Sequence, residues 1–268
     1  MRLCAYGSRT VIDLHCHVLP GIDDGPETID GSVALARAAV LAGVSTVVAT
    51  PHVSWSYPTT AEAIARAVEL VNERFLAEEI ALDVTAGAEI AMTRVADTPA
   101  QELSSLTLGG GPWLLLEPPF SPAASGLDAI VLDLQRQGHR IVLAHPERCP
   151  SFHRDPGLLA ELVRGGAITS ITAGSLVGRF GEHARRFALT LAQQGMVHNV
   201  ASDSHDETQR APGITNELDR AGLAPLADWL TRAVPSAILE GSEEIPPRPP
   251  FKLGGLATTR RPWWRRRG

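Results

Sequence analysis

The sequence of 268 residues predicts an α/β fold, a parallel β/α barrel with seven candidate strands, and three features carry that expectation. Short β-branched or leucine-rich runs alternate with longer stretches in which Ala, Leu and Val recur at helical spacing, the pattern of repeated β/α units. The runs at 46–50, 113–117 and 140–145 are apolar almost throughout, as parallel strands covered by helices on both faces must be. The strand ends also collect side chains able to bind metal, and a barrel brings such ends to one face.

In chain order, strands are predicted at 11–14, 46–50, 83–88, 113–117, 140–144, 167–171 and 197–202. Helices are predicted at 30–42, 60–79, 126–137, 156–164 and 181–194. Several close on a glycine (Gly43, Gly138, Gly165, Gly195), the residue that most readily adopts the left-handed conformation ending a helix. Helical spacing continues from Gly213 to about Val234, and from Pro246 the pattern decays into a Pro/Gly/Arg tail. The expected organisation is therefore an N-terminal extension, 1–10, one domain, 11–245, and a basic tail, 246–268. No internal repeat is visible.

The net charge of −6 conceals an asymmetry. The tail carries seven basic residues and no acidic ones, which leaves −13 for the body. A strongly acidic body weighs against nucleic acid as a ligand and suits a protein that collects cations. The three cysteines, Cys4, Cys16 and Cys149, are odd in number and include no Cys-x-x-Cys pair, so neither a disulfide framework nor a thiolate zinc site is indicated, and a reducing cytoplasm is expected. No apolar run resembles a signal peptide, and the longest, at 32–50, is interrupted by Arg37, so no membrane span is predicted.

The chemistry lies at the strand ends. After the first strand come His15 and His17; residues i and i+2 of an extended chain point to one face, so both can grip one ion while Cys16 faces away. Later strands finish at His52, Glu89, Glu117, His145 and the pair Asp203/His205, and the loop after the first strand adds Asp23 and Asp24. Six of the seven strands thus end in a residue able to bind metal. One His-x-His alone would be weak; burying this many ionisable groups without partners would cost several kcal/mol each, a cost that metal ions offset. His139, His153, His183 and His198 lack the terminal placement and read as structural. Asp13 is placed to orient His15 from behind, and Asp23 is the weaker of its pair.

Imidazoles and carboxylates without thiolate suit Mn, Fe or Zn, and several carboxylates imply more than one ion. Closely spaced divalent ions can neutralise a phosphate and lower the pKa of a bound water, which makes phosphoester hydrolysis the natural reaction. Arg148, three residues after His145, offers a planar fork to phosphate oxygens. Arg210 is a second candidate for the same task.

With those residues in view, the sequence resembles the PHP superfamily of metal-dependent phosphoesterases, and within it the bacterial tyrosine-protein phosphatases of capsular and exopolysaccharide loci. The resemblance runs from about Val11 to Ala237, through DLHCHVLPGIDDGP, ATPH, GAEI, LLLEPPF, LAHPER, ITAGSLVGRFG and ASDSHD. It implies a distorted seven-stranded barrel with three ions, usually manganese. It further implies that His15, His17, Glu89 and Asp203 hold one ion, that Glu89 bridges to a second held by Glu117 and His145, and that Asp24, His52 and His205 hold the third. Arg148 matches the arginine that contacts the substrate phosphate. The implied route is direct attack of a metal-held hydroxide on phosphorus, with a phosphotyrosine protein, a bacterial tyrosine kinase, as substrate. Ser170 stands where relatives often carry glutamine.

A thiol route is a separate possibility that the spacing rejects. Cysteine-based tyrosine phosphatases place an arginine six residues after the nucleophile, whereas Arg9 and Arg154 follow Cys4 and Cys149 by five, and Cys16 has none nearby. Trp55, Tyr57 and Phe120 follow strand ends and can pack against a phenyl ring. The competing expectations are a small-molecule phosphatase such as histidinol phosphatase, a nuclease or proofreading domain, which the acidic body disfavours, and a non-enzymatic metal-binding scaffold. The tail, with Trp263, Trp264 and its arginines, reads as solvated chain, or alternatively as a contact for anionic lipid or polymer.

Overall fold

The computed structural model describes residues 10–121 and 126–252. Its order is β1 (Val11–Cys16), α1 (Ile29–Leu41), β2 (Val44–Ala49), β3 (His52–Val53), α2 (Ala61–Ala77), β4 (Asp83–Ala86), β5 (Glu89–Ala91), α3 (Ala100–Ser105), β6 (Trp113–Glu117), α4 (Leu127–Arg136), β7 (Arg140–Ala144), α5 (Pro150–Arg154), α6 (Pro156–Arg164), β8 (Ile168–Thr172), α7 (Ala173–Leu176), α8 (Gly181–Gln193), β9 (Asn199–Ala201), α9 (Thr215–Arg220) and α10 (Val234–Leu239). The larger helices begin where a side chain satisfies an early backbone N–H: Thr28 for α1, Thr60 for α2 and Asp155 for α6. Leu35, Ala36 and Ala39 of α1, and Ile64, Val71 and Phe75 of α2, are buried, at the three- to four-residue spacing that puts them on one face.

All named strand pairs are parallel. One sheet has the order β1-β2-β4 and the other β3-β5-β6-β7-β8-β9. Because β3 follows β2 after two residues and β5 follows β4 after two, each of these pairs is one jogged stave among the described residues. The predicted strand 83–88 is therefore two short strands, and β3 is an addition to the expected set. Pro51 has no N–H to donate at the first jog. At the second, a side chain on Gly87 would meet Val48 Cγ1 at 2.7 Å and Leu108 Cδ2 at 3.0 Å, so glycine is needed for the close approach. The last stave lies beside the first: Cys16 bridges Ser204, Asp203 N–H donates to His15 O at 2.8 Å, and His17 N–H donates to Ser204 O at 2.9 Å.

The single helix expected from Gly213 to Val234 is instead a series of short pieces. Gly222, at φ 73°, ends α9, and a 3-10 turn at Ala224–Leu226 contains a proline. A π-turn at Trp229–Ala233 then leads into α10, whose second residue is Pro235, a residue unable to donate the usual intrahelical bond. Helical spacing survives across these breaks, which is why the sequence read as continuous. Ser170 donates to Asn199 Oδ1 at 2.6 Å and so ties β8 to β9.

The tail beginning at Pro246 is described as far as Lys252, and that part packs on the body. Trp229 Nε1 donates to Pro246 O at 2.9 Å, and Arg248 donates to Ala192 O at 3.1 Å. The Trp/Arg segment of the tail, and the extension before Thr10 with Cys4 and Arg9, lie outside the described residues. Among the described residues no helix is long and apolar enough to cross a membrane.

His198 behaves as the structural histidine expected. Its backbone and Nδ1 bond to Thr169, and its ring lies 6.4 Å from that of Trp229. Burial, and then the nearby Arg248 charge, push its pKa down from 6.5 to about 4. The unfolded chain therefore binds more protons than the fold between these values. The contribution of neutral His198 is complete above pH 6.5 and is lost as pH falls through 4, up to about 3 kcal/mol. Urea unfolding of the wild type is expected to weaken between pH 7.5 and 5, and His198→Asn should show a shallower pH slope.

Candidate metal centre

β1 delivers His15 and His17 at its carboxyl end, with their Nε2 atoms 3.2 Å apart. Glu89, at the start of β5, is 1% exposed and inserts between them. Its Oε2 lies 3.2 Å from His15 Nε2, 3.4 Å from His17 Nε2 and 3.0 Å from His52 Nδ1, while its Oε1 lies 2.7 Å from His145 Nε2. Asp203 Oδ1 lies 3.5 Å from both His15 Nε2 and His17 Nε2. Glu117, ending β6, stands 3.7 Å from His145 and 3.9 Å from His52. On the outer side Asp24 Oδ1 is 3.4 Å from His52 Nε2 and 3.2 Å from His205 Nε2. All nine donors named from the sequence therefore occupy one continuous cluster.

Local structure aims them. His145 (φ 32°) and Asp203 (φ 52°) both adopt the left-handed conformation, which costs a non-glycine residue about 1–2 kcal/mol. Each is clamped by its backbone N–H, His145 to Ser170 O and Asp203 to His15 O, both at 2.8 Å. Asp13 does work from behind, but through the main chain: it accepts from His15 N–H at 3.2 Å and from the backbone and hydroxyl of Ser202. Asp23 is a support of the cluster. It accepts from His17 Nδ1 at 2.6 Å and from the backbone N–H of Gly25 and His52, both at 3.0 Å. Burial disfavours a charged His17, but Asp203, Asp23 and Glu89 outweigh it and hold its pKa well above the usual imidazole value; with Asp23 keeping the Nδ1 proton, Nε2 is the nitrogen that a cation between Glu89 and Asp203 would take.

Arg148 Nη1 donates to Asp203 Oδ2 at 2.5 Å, and Arg210 Nη2 lies 2.8 Å from Asp203 Oδ1. The Arg210 loop is shaped by Asp206, whose carboxylate accepts the backbone N–H groups of Thr208, Gln209 and Arg210. Two supports escaped sequence reasoning. Glu147 is fully buried and accepts from Thr172 N–H and the Ser175 hydroxyl at 3.0 and 2.7 Å, fixing the turn that carries Arg148. Phe180 places its ring 4.6 Å from the Arg148 guanidinium. Glu147 stands beside Arg148 in the sequence and Phe180 within the ITAGSLVGRFG run, but only the fold gives either of them a role.

The electrostatics show a pocket with excess negative charge. Burial works to raise the carboxyls of Glu89 and Asp203, but the surrounding imidazoles, with the arginines at Asp203, outweigh it and hold both well below the usual range. Glu117 has no such surplus of cations: burial and then the Glu89 charge push it up to about 7. Burial and then Arg148 push His145 down to about 4, which leaves that ring neutral and able to ligate.

The donor set fits divalent cations. Three groups of donor atoms lie mutually within 4.8 Å, namely His17/Asp24/His52/His205, His15/His17/Glu89 and His52/Glu89/Glu117. Glu89 Oε2 and His205 Nε2 are buried with nitrogen or oxygen neighbours 3.0–3.2 Å away but no hydrogen bond of good geometry, an arrangement a coordinated cation would satisfy. Cys16 and Cys149 stay outside: Cys16 Sγ contacts Ser204 at 3.1 Å, and Cys149 Sγ contacts Ser151 at 2.9 Å.

Parallel β/α staves that deliver imidazoles and carboxylates to one pocket, with two arginines at its edge, define a metal-dependent hydrolase. Residues 11–221 match the model of the capsular polysaccharide synthesis CpsB/CapC family, and the chain belongs to that family. It is similar to the tyrosine-protein phosphatase YwqE of Bacillus subtilis (strain 168), 37% identical over 201 residues, which are 75% of this chain and 79% of the relative. The putative tyrosine-protein phosphatase CapC of Staphylococcus aureus is 30% identical over 204 residues, again 75% and 79%. A solved structure from the study of YwqE and of CpsB from Streptococcus pneumoniae, described as unique metal-dependent tyrosine phosphatases, matches with a TM-score of 0.79 and 33% identity. The match covers 91% of this chain and 100% of that one.

Asp23→Ala removes the group that fixes the His17 tautomer. Its expected effect is a loss of about 10–100-fold in affinity for divalent ions with the fold intact, measured by metal analysis after dialysis against graded chelator.

Proposed function

We propose that this chain is a metal-dependent protein-tyrosine phosphatase of the cytoplasm, acting on a phosphotyrosine protein such as a bacterial tyrosine kinase of polysaccharide export. The observation that carries the reading is Glu89, which faces four histidines at once beside an aspartate already paired with two arginines. The scaffold is read as a seven-stave barrel closed where β9 meets β1, formed by a domain spanning 11–245.

Three divalent ions, manganese foremost and iron or zinc by ligand chemistry, fit the donors. His15, His17, Glu89 and Asp203 would hold one. Glu89, Glu117 and His145 would hold the second, and Asp24, His52 and His205 the third. Bound there, the ions supply charge neutralisation for a phosphate and bring a water's pKa toward neutrality.

The chain's own residues do the rest. Arg148 and Arg210 occupy the same recess and present planar forks to the non-bridging phosphate oxygens, exchanging their hold on Asp203 for one on substrate. Asp23 keeps His17 in one tautomer, and Glu147 holds the Arg148 turn rigid. Neither described thiol takes part: both are buried, with Cys16 Sγ against Ser204 and Cys149 Sγ against Ser151. The acidic body favours a protein or small ester over a nucleic acid.

A phosphotyrosine peptide and histidinol phosphate separate this reading from that of a small-molecule phosphatase. Turnover is expected with the peptide, abolished by EDTA and by His15→Ala, and retained in Cys149→Ser; turnover confined to histidinol phosphate would reject the assignment. Arg148→Lys keeps the charge and loses the fork, so kcat/KM for the peptide is expected to fall by about 100-fold, measured by steady-state phosphate release.

A further inference from the structure

Beside the donor cluster lies a recess of about 450 Å³ lined by Phe120, Arg148, His153, Phe180, His183 and Arg210. Phe120 is 51% exposed and Phe180 37%. One exposed phenylalanine needs no explanation. Two that face a single guanidinium call for one: the Arg148 Cζ lies 4.6 Å from the Phe180 ring centroid and 5.6 Å from that of Phe120.

Both rings are tied to the site. Phe120 stacks on His145, with centroids 5.5 Å apart and planes at 20°, and His145 is one of the four imidazoles that face Glu89. Phe180 lies against Gly174, where a Cβ would come within 3.1 Å of its Cε2 and 3.0 Å of Arg179 Cδ. Arg179 is itself anchored, 2.7 Å from Glu217, and donates to Ala211 O. Gly178 and Gly181, at φ 89° and 88°, turn the chain on either side. The Phe180 ring is thereby positioned before any ligand arrives, which lowers the ordering cost of binding. Trp55, which carries Arg94 at 4.2 Å, and Tyr57, which stacks on His52, do not line this recess.

We propose that Phe120 and Phe180 are specificity-determining walls that hold the phenyl ring of the ester whose phosphate is gripped by Arg148 and Arg210. The inference rests on the phosphatase reading above and adds the groups that select an aromatic over an aliphatic ester. In an aryl phosphate one ester oxygen separates ring from phosphorus, so ring and phosphate must be bound at adjoining places. The two phenylalanines adjoin the phosphate-binding arginine. A phosphoserine side chain has no π-face to offer them and gains little from the apolar surface.

The test is calorimetric binding of benzylphosphonate and methylphosphonate to the metal-loaded full chain, which reads ring recognition without turnover. The wild type is expected to favour the benzyl compound. Phe120→Leu and Phe180→Leu should each cut that preference by about tenfold, and Phe180→Tyr should restore it. Both rings are on the surface, and circular dichroism of each variant confirms the fold. No preference in the wild type, or a preference unchanged within twofold in both leucine variants, overturns the proposal. A wild type that shows the preference but leaves a phosphotyrosine peptide intact supports the ring slot and refutes the phosphatase reading instead.

Discussion

A carboxylate at 1% exposure with histidines on every side, Glu89, is the constraint around which the molecule is arranged. An isolated ionised carboxylate in such a place would cost several kcal/mol. His15, His17, His52 and His145 surround it with nitrogen atoms 2.7 to 3.4 Å away. Those rings come from β1 and the residue after it, from β3 and from the turn after β7, so the demands of one side chain are met only when strands of both sheets are in place. The jogs at Pro51 and Gly87 serve the same end, since they put His52 and Glu89 in register across β3 and β5.

Around that centre the remaining charges are balanced in layers. Asp203 is matched by Arg148 and Arg210, His17 by Asp23, and the turn behind Arg148 by Glu147. Glu117 is the member left without sufficient positive charge, as its raised pKa records. The same arginines that quiet Asp203 line the recess open to substrate. Charge compensation at Asp203 and the lining of the recess thus draw on one pair of side chains.

Much of this was legible in the sequence because it depends on local order. Strand runs, helix caps and the i, i+2 pairing of His15 with His17 are written in neighbouring residues. The position of the nine donors at strand ends followed from those runs. What escaped reading depends on distant packing. Asp23 looked like the weaker half of an acidic pair, yet the fold sets it against His17 and the backbone of His52. Phe180 lies in a glycine-bounded turn whose meaning comes only from Arg148, thirty-two residues earlier in the chain. The helix expected from Gly213 to Val234 was misjudged because its apolar spacing persists across breaks imposed by Gly222 and the prolines.

The meeting of β1 with β9, through the Cys16–Ser204 bridge, has a consequence for biosynthesis. As the ribosome delivers the chain, His15 and His17 leave it 188 residues ahead of Asp203 and His205 respectively. The early histidines must wait for their late partners. The donor cluster is thereby completed only once β9 and the residues after it have been made, and a product truncated before that stave keeps only part of the set.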